Sequence, residues 1–208
     1  MREALGVMDH ESTSTSDYLD RLMRRNCFEA LWPLFAKAQR PAKELTESYS
    51  ALVHLRPFMR AGEACRVVHV GDGAHARTAA LFSLKSKTHN ISVDPALNLA
   101  LVEDWRERFG IVRMDLHKAR IEDVAQELNA LPAMRTLVTF VHAHVGVEQV
   151  LTRLRWDVAF TLACCVPGKQ LSRNHVVREG EDTNVLSSGR QYQVLVNEER
   201  AVDRGCHS

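Results

Sequence analysis

The length of 208 residues suffices for one large domain. Hydrophobic residues make up 45% and charged residues 25% of the chain, which argues against long disordered tracts. The 27 basic and 26 acidic side chains leave a formal net charge of +1, so binding of nucleic acid by bulk charge alone is excluded, although a local basic patch is not. No apolar run approaches the ~20 residues of a membrane span, and the N-terminus lacks the apolar core of a signal peptide.

The cysteine content indicates the compartment. Five cysteines, an odd number with two of them adjacent, do not form a recognisable disulfide framework. We therefore expect a reducing, intracellular and cytoplasmic environment, with no membrane partner.

The N-terminal third of the chain is expected to be helical. Residues 1–15 are a polar, flexible lead-in, and a helical extension follows over 16–62. Ser16 is an N-cap candidate for a first helix that Pro33 should kink or end. Pro41 opens a second helical stretch that runs to about Met59.

The remainder alternates between short apolar runs and helical patterns, and we assign it to one domain over 63–200 with a loose tail at 201–208. Strands are predicted at 66–70, 90–93, 111–114, 136–141, 157–162 and 192–196, and helices at 76–85, 97–109, 121–131 and 145–154. Such alternation predicts a mostly parallel sheet covered by helices on both faces, a three-layer α/β sandwich. Residues 166–190 show no convincing helix, so we expect at least one element of a full seven-stranded sheet to be missing.

The turn after the first strand is the strongest candidate for a ligand site. It reads Gly71-Asp72-Gly73-Ala74 and leads into a helix. A glycine pair allows the backbone to approach a ligand closely, and the helix N-terminus offers free N–H groups. A tight turn without a ligand produces the same pattern as readily.

Two acids follow the next strands. Asp94, followed by Pro95, lies 23 positions beyond Gly71 at the end of the second strand, where it can accept hydrogen bonds from both ribose hydroxyls of an adenosine ligand. Asp115 is predicted to end the third strand, within reach of an adenine amino group. One such acid is commonly a helix N-cap, but three strand ends in register favour a ligand site.

This layout resembles the class I S-adenosylmethionine (SAM) dependent methyltransferases over roughly residues 64–165. The family pattern is acid-x-Gly-x-Gly-x-Gly; Gly71 and Gly73 match it, whereas His69 replaces the acid and His75 the third glycine. The resemblance implies a Rossmann-like sandwich that binds SAM. It also implies that the methionine part contacts the glycine loop, that the ribose contacts the Asp94 region, and that Asp115 and Leu116 frame the adenine. A nicotinamide dinucleotide fold is the rival, disfavoured because alanine occupies position 76.

The ends of the fourth and fifth strands carry His142, His144, Cys164 and Cys165. In the methyltransferases these ends face the transferred methyl group, so His142, His144 and Cys164 are catalytic candidates, and His142 is also a cofactor contact. Together these side chains could form a His₂Cys-type metal site, but we expect no metal, because Cys-x-x-Cys and His-x-x-x-His spacings are missing. We expect at most one of the two cysteines to face the crevice.

A branch of the superfamily with a similar fourth and fifth strand end includes RNA-directed enzymes. The predicted function is therefore methyl transfer from SAM to an acceptor, with RNA favoured over a small molecule and protein also possible. The alternative is a methyltransferase-like domain that no longer catalyses and acts as an assembly or interaction module.

Overall fold

A seven-stranded sheet forms the centre of the molecule. The computed structural model describes residues 16–24, 27–59, 62–163 and 171–203. The strands are β1 (Cys65–Val70), β2 (His89–Val93), β3 (Met114–His117), β4 (Arg135–Val141), β5 (Val158–Leu162), β6 (Val176–Glu181) and β7 (Gln191–Val196). Their order is β3-β2-β1-β4-β5-β7-β6, with β1 to β5 parallel and β7 antiparallel to both of its neighbours. The expectation that the sheet lacks a strand is wrong.

Helices cover both faces of this sheet, as predicted. They are α1 (Asp17–Met23), α2 (Cys27–Phe35), α3 (Pro41–Leu55), α4 (Arg77–Lys85), α5 (Leu99–Arg108), α6 (Ile121–Ala130), α7 (Val147–Leu151) and α8 (Glu198–Asp203). Apolar side chains of α1 to α5 form one buried cluster with the sheet, and those of α6 and α7 form the other. The first cluster joins Leu31 of α2 to Phe160 of β5, so the N-terminal helices share the core of the sheet. None of the helices in the described part of the chain has the length and apolar character to span a membrane.

The third strand lies three residues later than predicted. The run at 111–114 looks like a strand because it is β-branched, but Val112 is 79% exposed and lies before β3 begins. β3 is an edge strand that pairs with β2 alone, through registers such as Asn90 with Met114. Asp115 therefore lies inside the strand, and the prediction that it ends the strand is wrong.

The sixth strand, within the stretch where no helix was placed, has no hydrophobic pattern. Residues Val176–Glu181 are mostly exposed and end in alternating charge and glycine. They pair with β7 through the backbone, with a register shift between Val176 and Arg178. A charged, irregular edge strand of this kind avoids edge-to-edge association, and hydrophobic periodicity cannot reveal it.

The N-terminal helices differ from the single kinked helix that was expected. α1 ends at Met23, and Pro33 lies inside α2, which ends two residues later at Phe35. Ser16 occupies the N-cap position, but its hydroxyl donates to the Asn184 carbonyl oxygen (2.6 Å) rather than capping the helix. At the other terminus, α8 occupies part of the expected loose tail; residues 1–15 and 204–208 lie outside the described ranges.

Candidate active site

A cavity of about 480 Å³ opens at the carboxyl ends of β1, β2 and β4, with α3 as its opposite wall. This is the edge at which parallel α/β sheets bind ligands, and the volume suits a small molecule. The residues lining it are Lys43, Glu44, Glu47, Ser48, Gly71, Asp72, Gly73, Arg77, Thr78, Asp94, Ala96, Val141, His142 and His144.

The two loop glycines are required for different reasons. Both have left-handed backbone, with φ of +68° at Gly71 and +71° at Gly73. A Cβ at Gly71 would lie 2.9 Å from the Cα and Cβ atoms of Ala143, whereas a Cβ at Gly73 would meet nothing within 4 Å. Gly71 therefore permits close packing of the loop after β1 against the loop after β4. Gly73 instead leaves open space beside the cavity.

Asp72 organises the loop by capping α4. One carboxylate oxygen accepts the N–H of Thr78 (2.8 Å), and the other accepts the N–H of Ala79 (3.0 Å) and the Ser92 hydroxyl (3.0 Å). The expectation that the N-terminus of this helix presents free N–H groups to a ligand is therefore wrong for these two amides. Burial raises the pKa of Asp72 to about 6, although the hydrogen bonds oppose that shift.

Asp94 directly follows β2 and reaches back to the same loop. Its Oδ2 accepts the Gly73 N–H at 2.9 Å, and its Oδ1 accepts the Ala96 N–H at 2.7 Å. Each carboxylate oxygen has a second acceptor site. The half-buried carboxylate thus holds Gly73 in place and can still accept a hydrogen bond from a ligand hydroxyl.

His69, which replaces the family's acid, is a structural residue of the sheet. Its ring contacts Thr139 Oγ1 on β4 (2.9 Å) and Asn90 Oδ1 on β2 (3.2 Å), and it packs edge-on against Phe82. Burial lowers its pKa to about 3, against the opposing hydrogen bond to Asn90. The neutral imidazole therefore links three adjacent strands beneath the loop and does not line the cavity.

His142 and His144 both line the cavity, one on each side of the buried Ala143. His142 has a left-handed backbone with φ of +56°, which is rare for a residue with a side chain. Its Nε2 lies 2.5 Å from Glu47 Oε2 and 3.2 Å from Lys43 Nζ. The loop after β4 is thereby joined to α3.

The wall formed by α3 was not predicted to be part of the site. Arg77 of α4 ion-pairs with Glu44, and its Nε donates to the Leu34 carbonyl oxygen at 2.8 Å. Ser48 contacts Thr78 at 3.2 Å between hydroxyl oxygens. These contacts seat α3 over the glycine loop. The spacing of three and four between Lys43, Glu44 and Glu47 marks one helix face, which is the only signal that the sequence offers for this wall.

The structure does not bring every predicted residue to the cavity. Among the described residues, Ala74, Pro95, Asp115 and Leu116 are not part of its lining. Asp115 is exposed and its Oδ2 lies 2.6 Å from His89 Nε2, while Leu116 packs against the core. Cys164 and Cys165 lie outside the described ranges. Within those ranges no cluster of three or more metal-ligating side chains occurs.

Comparison with known proteins rests on structure. No family model matches the chain, and no curated protein matches its sequence. A Glu-to-Gln mutant of MtNAS in complex with S-adenosylmethionine is similar over 86% of this chain and 74% of its own, with a TM-score of 0.53 and 14% identity. MtNAS in complex with MTA and tNA is similar over 81% and 69%, with a TM-score of 0.50 and 15% identity. An rRNA methylase from Streptococcus thermophilus matches over 77% and 97%, with a TM-score of 0.46 and 13% identity.

The strand order, the antiparallel β7 and the likeness to the two MtNAS structures define the architecture. The chain has the class I SAM-dependent methyltransferase fold. The resemblance seen in the glycine loop and the strand ends is thereby confirmed at the level of the fold.

Proposed function

We propose that the protein binds SAM in the cavity between α3 and the glycine loop and transfers its methyl group to an acceptor. The observation that carries the proposal is the open space at Gly73, which adjoins the acceptor oxygens of Asp94. A side chain at position 73 would occupy that space, so the loop is shaped to let a ligand lie against its backbone.

The ligand is held by groups from three strand ends. Asp94 accepts hydrogen bonds from the ribose hydroxyls, Gly71 and Gly73 lie along the methionine part, and His142 lies near the sulfonium. SAM supplies an activated methyl group. Methyl transfer depends mainly on alignment of this group with the acceptor, so a rigid loop is the principal requirement of the protein. The contacts of Asp72 and Asp94 supply that rigidity.

The charges of the lining also favour SAM. Four carboxylates line the cavity against two strongly basic side chains, Lys43 and Arg77; the acids are Glu44, Glu47, Asp72 and Asp94. SAM carries a sulfonium, an ammonium and a carboxylate, for a net positive charge. An acidic pocket attracts such a ligand. A nicotinamide dinucleotide, with its anionic pyrophosphate, fits this lining poorly.

One experiment tests the proposal, the RNA acceptor that the sequence favours and the non-catalytic alternative. The purified protein is incubated with tritium-labelled SAM and with the RNA, protein and small-molecule fractions of a cell extract. Label in any acceptor fraction supports methyl transfer. SAM binding without transfer to any fraction supports the interaction module, and no SAM binding contradicts the proposal.

A further inference from the structure

We infer that Glu47 and His142 form a proton-accepting pair at the acceptor end of the cavity, and that the acceptor is a small molecule bearing an amine. The inference rests on the methyl-transfer function proposed above. It specifies the chemical class of the acceptor and assigns a role to Glu47, a residue that neither the glycine loop nor the strand ends indicated.

The carboxylate of Glu47 is buried without a satisfying hydrogen bond. Its side chain is 0% exposed, yet it lines the cavity. Neither carboxylate oxygen has a well-aligned hydrogen-bond partner among the described residues, although His142 Nε2 lies 2.5 Å from Oε2 and Lys43 Nζ 3.5 Å from Oε1. Burying a carboxylate costs free energy unless nearby groups compensate its charge. Because Lys43 and His142 both lie close to Glu47, we infer that its carboxylate orients these two side chains.

The contact between Glu47 and His142 sets the tautomer of the imidazole. With the imidazole proton on Nε2, beside the carboxylate, Nδ1 retains its lone pair and can accept a proton, as in a general base that a carboxylate holds in place. The contacts of His142 with Lys43 and Glu47 are both made through Nε2. The left-handed backbone of His142 is the kind of strain that clusters at functional sites. His142 is thus the catalytic base and Glu47 its positioning residue.

Lys43 competes for the same nitrogen. Its ammonium lies 3.2 Å from His142 Nε2 and can donate only when the imidazole proton is on Nδ1. The distance of 2.5 Å between Nε2 and Glu47 Oε2 is shorter, and two atoms that both present lone pairs repel each other at that distance, so the tautomer with the proton on Nε2 is favoured.

The position of the pair matches the acceptor end. The strand order β2-β1-β4 places Asp94 at one side of the glycine loop and His142 at the other. With the ribose at Asp94, the far side of the cavity is left for the acceptor. Lys43 and Glu47 contact His142 directly. The other charged or titratable groups of the cavity lining, besides Asp94, are Glu44, Asp72, Arg77 and His144.

The cavity lining carries more carboxylates than strongly basic side chains, so an acceptor with an ammonium group fits it better than one with a phosphate. An ammonium has no lone pair, so it must first give a proton to His142 Nδ1. The freed nitrogen lone pair forms the C–N bond to the methyl carbon as the C–S bond breaks, and sulfur keeps that electron pair. The methylated amine leaves as an ammonium, and His142 returns its proton to water. The proton of the ammonium thus passes through His142 to water, and the positive charge of the sulfonium ends on the methylated nitrogen.

The pair itself is tested by NMR of the histidine rings, with SAM absent. His142 is identified among the ten histidines by the signal that His142→Asn removes. We expect neutral His142 to carry its proton on Nε2, and Glu47→Gln to weaken this preference and move the titration to lower pH. A proton on Nδ1 in the unmodified protein overturns the pair, and so does an unchanged titration in the glutamine variant. The tautomer measurement requires no substitution of Glu47, so it stands even if that variant does not fold.

The acceptor class is tested with tritium-labelled SAM and the small-molecule fraction of a cell extract, separated by cation exchange. We expect label in the retained, amine-bearing pool, and a decrease of about 100-fold in rate for Glu47→Gln. The matched control is Glu103→Gln on the exposed side of α5, which should transfer normally. Calorimetry should show that Glu47→Gln still binds SAM. The inference fails if SAM binds but the label enters only RNA, only the unretained small molecules, or no fraction at all. If the unmodified protein does not bind SAM, the proposed function fails instead.

Discussion

Gly71 and Gly73 occupy the same loop with similar backbone angles, but substitution should affect them differently. Gly71→Ala adds a methyl group 2.9 Å from Ala143, so it should reduce the free energy of unfolding by about 1–3 kcal/mol through overpacking. Gly73→Ala meets open space and should lose only about 1 kcal/mol through backbone strain, while weakening SAM binding. Denaturant unfolding and calorimetry on the two variants check this contrast. Equal losses of stability would remove the distinction between them.

Asp94 is expected to bind the ribose. Asp94→Ala should weaken SAM binding by about tenfold or more, because a charge-assisted hydrogen bond contributes about 1.5–3 kcal/mol. The structure adds a small stability cost, since the N–H groups of Gly73 and Ala96 lose their acceptor. Calorimetry measures the affinity, and thermal unfolding shows how much of the loss is structural. Unchanged affinity in a folded variant would remove the ribose role from this residue.

Asp72 should make SAM binding depend on pH. Its folded pKa is raised from 3.8 to about 6, so the folded protein holds this proton more tightly than the unfolded chain, and the associated stability falls as pH rises through that window. A cationic ligand beside the carboxylate favours its ionised form. Binding should therefore tighten from about pH 5 to pH 7 and release a proton near pH 6. Calorimetry in two buffers with different heats of ionisation measures that proton; none released near pH 6 would contradict the account.

At the scale of secondary-structure elements, Asp182 joins the N-terminal helices to the end of β6. Its Oδ2 accepts the hydroxyl protons of Ser50 (2.6 Å) and Tyr18 (2.8 Å), and His54 Nε2 lies 3.3 Å away. Burial alone would raise the pKa of Asp182, but these hydrogen bonds outweigh it and lower the pKa to about 2. The carboxylate thus holds α1 and α3 against the antiparallel end of the sheet.

Acid should loosen this junction. Because the folded pKa is below the unfolded value of 3.8, the stabilisation is present above about pH 4 and is lost as pH falls toward 2. Its size is about 2 kcal/mol. Asp182→Asn should lower stability at pH 7 by roughly that amount and flatten the dependence between pH 4 and 2. Urea unfolding at a series of pH values gives both quantities, and a variant with the slope of the unmodified protein would refute the assignment.

The elements that the sequence predicted are those with buried faces. β1 is buried along its whole length, and its β-branched run was placed within one residue of its observed bounds. β3 was displaced and β6 was missed because both are edge strands, where backbone pairing forms without a continuous apolar pattern. Pro33 was expected to kink or end the first helix, but it lies inside α2, whereas α1 already ends at Met23, a position that no proline marks.

At the scale of the whole molecule, the site combines residues at strand ends, which the sequence pattern predicts, with a contact between residues far apart in the sequence. The loop from Gly71 to Gly73 and the acid Asp94 lie at predictable strand ends, and the fold brings them together as expected. The contact between Glu47 and His142 spans almost half the chain, and only the seating of α3 over the sheet creates it. Helix packing angles are set by side-chain interdigitation, which single-sequence patterns do not specify.

The central claim is that the cavity beside Gly73 binds SAM. Isothermal titration calorimetry with SAM and with NAD, on the unmodified protein and on Gly73→Val, tests it most directly. We expect SAM to bind the unmodified protein and NAD not to bind, because the lining is acidic. The valine side chain should fill the open space and abolish SAM binding in a variant that remains folded by circular dichroism. Binding of NAD in place of SAM, or normal SAM binding by the folded valine variant, would contradict the account.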